Sequence, residues 1–120
     1  MRDTNLFLKA SASSTTTSNF TGVDFGAADE EPLTYVINGT AKSGTTPTMD
    51  CEIQQSDDNS TWVPFLKFPQ MTGTNMPGLL RVTGVASKRY RRLAVTTQGG
   101  TTPNFTFECF PELGGEYKSF

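Results

Sequence analysis

The 120-residue chain reads as an all-β protein, an antiparallel β-sandwich or jelly roll with little or no helix. Three observations predict this fold class. Several stretches alternate apolar and polar residues at a period of two, which sets one strand face in a core and the other in water. No window carries apolar residues at i, i+3, i+4 and i+7, the spacing an amphipathic helix needs. Thr, Ser, Gly and Pro are abundant while charged residues make up only 18%, a balance that favours strands joined by turns. The turn signals divide the chain into about seven to eight short strands, and no tandem repeat is read.

Residues 1–19 read as an N-terminal arm. The apolar run Leu6-Phe7-Leu8 is its anchor, and Ala10 to Ser18 is a polar connector with no core face, suited to lying extended on a neighbouring surface. Residues 20–110 form the β-sandwich domain. Phe20, Val23 and Phe25 give an apolar strand closed by Gly26. Ala27 to Pro32 is a loop whose acids, Asp29, Glu30 and Glu31, are consecutive and so diverge. They suit solvent or a partner better than a cation site or an acid–base pair. Leu33 to Thr40 is apolar on both sides in its middle, which places it near a sheet centre. A Gly/Ser/Thr/Pro loop from Asn38 to Thr48 follows.

The organising hairpin runs from Met49 to Phe65. Met49, Cys51 and Ile53 alternate with Asp50, Glu52 and Gln54. Ser56-Asp57-Asp58-Asn59-Ser60 then reverses the chain with side chains that hydrogen-bond their own backbone and tolerate the left-handed region. Trp62 and Val63 begin the return strand, and Pro64 consigns it to a sheet edge because proline cannot donate to a ladder. Asp57-Asp58-Asn59 lacks the glycine and the twelfth-position Glu of a calcium loop. Leu66 to Gly78 reads as a long loop, with Phe68, Met71 and Met76 as either a satellite cluster or an exposed patch. Leu79, Leu80 and Val82 resume strand character.

Lys88 to Thr96 holds the concentrated positive charge. Read as a strand, it sends Arg89 and Arg91 with Leu93 and Val95 one way, and Tyr90 and Arg92 the other. A phosphate-tracking stripe would align its cations, so salt-bridged strand surface or a protein interface is the reading preferred. Gln98 to Pro103 is a turn, and Phe105, Phe107 and Cys109 mark the last strand. Residues 111–120 form a tail carrying Tyr117 and Phe120 beyond a Gly-Gly pair.

The net charge of −2 advertises neither nucleic acid nor an anionic membrane as partner. The N-terminus offers only three consecutive apolar residues, short of a signal or membrane segment, so the expected site of synthesis is the cytoplasm. Cys51 and Cys109 both fall on apolar strand faces, where reduced buried thiols are expected. The sequence contains no histidine, which removes Ser-His-Asp and Cys-His chemistry and histidine metal sites. Phosphate-binding glycine motifs are also missing. No cofactor, no metal, no small-molecule substrate and no enzymatic activity are expected.

Four ordered segments together resemble one family. Val23-Asp24-Phe25-Gly26 looks like its hydrophobic-Asp-hydrophobic-Gly strand end, and Glu31-Pro32-Leu33-Thr34-Tyr35-Val36 is similar to its Glu-Pro-Leu strand start. Gln54 to Ser60 matches its central hairpin, and Arg89-Tyr90-Arg91-Arg92-Leu93 resembles its Arg-Tyr-hydrophobic-Arg-hydrophobic strand. The family is that of the jelly-roll capsid decoration, or cement, proteins of tailed bacteriophages. Arg91 departs from its pattern, standing where an apolar residue is usual, and the chain from Glu112 runs past the family's usual end.

The resemblance implies a structural virion protein on the outer capsid surface, made in the host cytoplasm. It implies homotrimers at three-fold positions that bridge subunits of the major capsid protein. The residues expected to carry these contacts are Leu6, Phe7 and Leu8 in the arm, Asp29, Glu30 and Glu31 in the acidic loop, Arg89, Arg91 and Arg92 on the basic strand, and Tyr117 and Phe120 in the tail. The alternative is a carbohydrate-binding β-sandwich on a virion fibre or surface, with Trp62 and Tyr35 as stacking platforms.

Overall fold

A computed structural model of the chain describes residues 6–112. In order, the strands are β1 (Lys9–Ser14), β2 (Ser18–Asn19), β3 (Val23–Asp24), β4 (Leu33–Ser56), β5 (Val63–Lys67), β6 (Met71–Thr72), β7 (Gly78–Gly84) and β8 (Tyr90–Glu112). All pairings are antiparallel and belong to one continuous sheet. The expected all-β class is what the chain adopts, but its strands are not uniformly short. Strands β4 and β8, of 24 and 23 residues, run together from Thr34↔Glu112 to Ser56↔Tyr90.

This long ribbon folds the sheet into two leaves. In leaf one, β7 pairs with the first half of β4 and β1 with the second half of β8. In leaf two, β5 and β6 flank the second half of β4 while β2 and β3 flank the first half of β8. The inner faces meet in one core. Tyr35, Ile37, Phe105, Phe107 and Cys109 come from leaf one, and Met49, Cys51, Ile53, Leu93 and Val95 from leaf two. Each fully buried large apolar side chain contributes about 1.5–3 kcal/mol. Val36 is also buried between Tyr35 and Ile37, so the middle of the stretch Leu33 to Thr40 is covered on both faces as its sequence predicts.

The stretches read as a loop (Asn38 to Thr48) and a turn (Gln98 to Pro103) are instead bends inside β4 and β8. Each carries the same tetrapeptide, Gly44-Thr45-Thr46-Pro47 and Gly100-Thr101-Thr102-Pro103, and the two lie opposite one another, with Thr45 paired to Thr101. Gly44, Thr46, Gly100 and Thr102 all have positive φ, and the register shifts on both sides of Thr45. A Cβ on Gly44 would sit 2.5 Å from the Thr102 carbonyl oxygen, and one on Gly100 would strike that of Thr46. Only glycine permits this approach. Thr46 and Thr102 hold a conformation costly for β-branched residues, and each donates its hydroxyl to the preceding carbonyl, at 2.8 Å in both copies.

The hairpin pairs as expected, with Gln55↔Val63 and Glu52↔Lys67, and Pro64 lies on the edge strand at a register shift. In its turn Asn59 has a φ of 61°, and the Asp58 carboxylate accepts from the Ser60 and Thr61 amides, each at 2.9 Å. Phe68, Met71 and Met76 are buried and belong to the core, which settles the choice left open for them. The polar stretch after Leu8 is, over Lys9–Ser14, an edge strand on β8. Both cysteines are buried and unpaired. Burial pushes the Cys51 thiol up to about 12 and that of Cys109 well above its ordinary value. Among the described residues no helix is long and apolar enough to cross a membrane.

Candidate functional site

The basic strand opens β8, and its alternation sends consecutive arginines to opposite faces of leaf two. Arg91 points inward and is fully buried. Its Nη1 donates to Asp29 Oδ1 at 2.9 Å and to the Tyr35 hydroxyl at 3.0 Å, and its Nη2 to the carbonyls of Ala27 and Lys88 at 3.1 and 3.2 Å. The Phe25 ring lies 4.4 Å from the guanidinium. Asp29 is fixed in turn, since its second oxygen accepts from the Ala86 amide and its own amide donates to the Ala86 carbonyl. A buried charge is tolerable only when paired and saturated in this way. The Tyr35 hydroxyl is pushed up to about 12, chiefly by burial.

On the strand's exposed flank, Arg89 grips Asp24 with two bonds of 2.6 and 2.7 Å. The same carboxylate accepts from the Gly26 amide, and Arg89 above all holds its pKa down to about 2. Lys88 pairs with Asp57 at 2.8 Å, and the Ser87 amide donates to Gln55 at 3.0 Å. Three of the four segments that carry the sequence resemblance are thus joined by direct contacts at one end of the sandwich, and the hairpin segment joins them through Gln54 and Gln55, which pair with Arg92 and Arg91.

Arg92 faces outward. Its guanidinium lies 4.5 Å from the Trp62 ring, and its Nε donates to Gln54 Oε1 at 2.7 Å. Gln54 passes the bond on, its amide nitrogen donating to Glu52 Oε2 at 2.8 Å. The row Trp62, Arg92, Gln54, Glu52 lies across the outer face of leaf two, with Lys67 opposite Glu52 on the edge strand. Gly22 lets the indole settle, because a Cβ there would stand 2.8 Å from the ring. Partial burial lowers the Arg92 pKa, but a guanidinium keeps its charge in proteins.

The residues expected to make contacts are therefore sorted by the fold. Leu8 is buried in the core, while Leu6 and Phe7 are half-buried, Phe7 stacking on Phe110 at 5.2 Å. Asp29 serves Arg91, whereas Glu30 and Glu31 are exposed. Arg91 is enclosed and Arg89 is paired, while Arg92 stands on the outer face. Tyr117 and Phe120 lie outside the described residues. Tyr35 is fully buried and cannot serve as a stacking platform, and Trp62 is half-buried with Arg92 against it.

Two features escaped the sequence reading. Lys9 is buried, donating to the carbonyls of Ala12 and Phe107 at 2.7 Å each and to that of Ala10 at 3.3 Å, above the Phe107 ring. Burial lowers its pKa. The register shift between Lys9 and Ala12 leaves the Ala10 and Ala12 carbonyls within reach of the ammonium, and nothing in the polar run announces it. The second is the pairing of Trp62 with Arg92, whose signal is weak: a hairpin tryptophan and an outward-phased arginine. A groove of about 460 Å³ runs along β1, lined by Phe7, Leu8, Phe20 and Val23 among others. Lys9 on its wall is already saturated. Among the described residues no group of His, Cys, Asp and Glu is arranged to hold a metal ion. No family model matches the chain, and no curated protein matches it.

Proposed function

We propose that this chain is a non-enzymatic structural protein of a virion, a capsid decoration protein that binds the outer shell and bridges neighbouring subunits of the major capsid protein. The observation that carries the reading is the convergence of the four resembling segments. Asp24 and Phe25, Tyr35, Gln54 and the strand Arg89 to Arg92 come from distant parts of the chain and contact one another at a single end of the sandwich. A set of motifs that builds one shared substructure argues for common architecture better than isolated matches do.

The physical properties suit that role. The domain is a rigid two-leaf wedge whose central strands pass through both leaves, and its outward face presents an aromatic–arginine pair, the residue types that dominate protein interfaces. Modest contacts repeated over a symmetric shell sum to high avidity, and whatever binds only the assembled lattice stabilises it. Homotrimers at three-fold positions complete the proposal. The carbohydrate-binding alternative is weakened by the burial of Tyr35 and by Arg92 against Trp62.

The test is to strip the chain from purified virions and add it back. Full occupancy at three-fold positions by electron cryo-microscopy, with shells that rupture at higher temperature when decorated, is the expected result. Shells equally robust to heat and osmotic shock without it would overturn the reading. Light scattering of the free protein is expected to give the mass of three 13.1 kDa chains.

A further inference from the structure

Four arginines lie among the described residues, and three have a carboxylate. Arg81 meets Glu112 at 3.6 Å, Arg89 meets Asp24 at 2.6 Å and Arg91 meets Asp29 at 2.9 Å. Arg92 has none. Its Nε is bound to Gln54 and its plane rests by Trp62, while its Nη1 and Nη2 have no partner among the described residues. A long flexible side chain is thus held at two points with its bidentate edge unused. Immobilising such a side chain normally costs about 0.5–1.5 kcal/mol on association, and here the fold has already immobilised it.

We propose that Arg92 is the contact anchor of this protein, its Nη fork receiving the carboxylate of an Asp or Glu side chain on the protein it decorates, with Trp62 and Gln54 as positioning residues. The inference rests on the decoration reading and names the chemistry of the partner surface. Fork and carboxylate match in geometry, with two parallel charge-assisted bonds. The surroundings select the source. Glu52 stands at the other end of the same row, tied through Gln54, and a polyanion crossing the row would meet this negative charge. One isolated carboxylate would not. Arg92 and Gln54 are cross-strand partners on the outer face of leaf two, with Glu52 on the same face, so the fork rises from a sheet face suited to another protein surface, whereas small acidic ligands favour concave sites.

The test uses the whole chain alone, so it stands whether or not shells bind. In ¹⁵N-resolved NMR, a capped Ala-Glu-Ala peptide is titrated to on the order of 10 mM, the range of a single weak ion pair, against Ala-Gln-Ala, glucuronate and inorganic phosphate. The expected result is movement of the Arg92 Nε–H and Trp62 indole N–H signals with the Glu peptide, with the Arg81 and Arg89 signals still. The indole response is lost in Arg92→Gln. In Arg92→Lys, which keeps the charge but not the fork, it falls about tenfold or more in affinity. Still signals, or equal movement with Ala-Gln-Ala, overturn the proposal. A response to glucuronate or phosphate without one to the Glu peptide overturns the protein carboxylate as its source. On stripped virions, wild-type binding matched by Arg92→Gln overturns the anchor and leaves the decoration reading intact.

Discussion

Arg91 and Arg92 are neighbours in the chain with the same side chain, and they do opposite things. Arg91 lies beneath leaf two, where every donor direction meets Asp29, Tyr35 or a carbonyl, and it ties the loops before β4 and β8 to the strand itself. Arg92 lies above the same leaf, braced by Trp62 and Gln54. The difference teaches that the phase of a strand decides whether a cation holds the molecule together or remains available to another one. Charge and residue type do not decide it.

The comparison breaks first at Arg91. Replacing it with Met orphans Asp29 and is expected to cost about 3–5 kcal/mol in urea unfolding. Adding Asp29→Asn removes the stranded charge and returns part of that loss. A single-variant loss below about 1 kcal/mol would show the inner network to be dispensable. Next comes the bend. Gly100→Val forces a β-branched residue to a φ of 88° against the Thr46 carbonyl and is expected to cost about 1–3 kcal/mol. Gly26→Ala serves as control, at the same φ with no atom within 4 Å of its Cβ, and costs less. Equal losses would mean that the close approach is not what requires glycine at the bend.

Arg92→Gln is smaller for stability, about 0.5–1 kcal/mol from the lost ring contact, and should be visible in Trp62 fluorescence. A loss as large as that at Arg91 would make the outer arginine structural too. The smallest effect concerns Asp24, whose carboxyl falls from an ordinary 3.8 to about 2 in the fold. Such a group adds stability above its unfolded value that disappears as pH drops through its folded one. Asp24→Asn is expected to flatten the fall in stability between about pH 4 and pH 2, more visibly at low salt because the pair is exposed. An unchanged slope would remove Asp24 as its source.

Much of the fold was legible because it rests on local rules. Alternation found the strands, Pro64 marked the edge, and Asn59 with Asp58 marked the turn. The bends were misread for a physical reason. Gly and Pro usually end a strand, and here two copies of Gly-Thr-Thr-Pro lie opposite one another and keep pairing through the corner. The repeated tetrapeptide was the available signal. Arg91 was harder, because the residues that make its burial tolerable, Asp29 and Tyr35, are brought to it only by the tertiary fold. Strand phase placed Arg91 and Arg92 on opposite faces correctly, yet it could not say which arginines already had partners.

The continuous ribbon has a last consequence. Because β4 and β8 each cross from one leaf to the other, neither leaf can melt and leave its neighbour intact. The two strands are separated by the whole of β5 to β7, so their pairing closes late and folding is expected to be slow. Once closed, a load applied to one leaf passes along covalent backbone to the other, and the domain yields in a single step or holds.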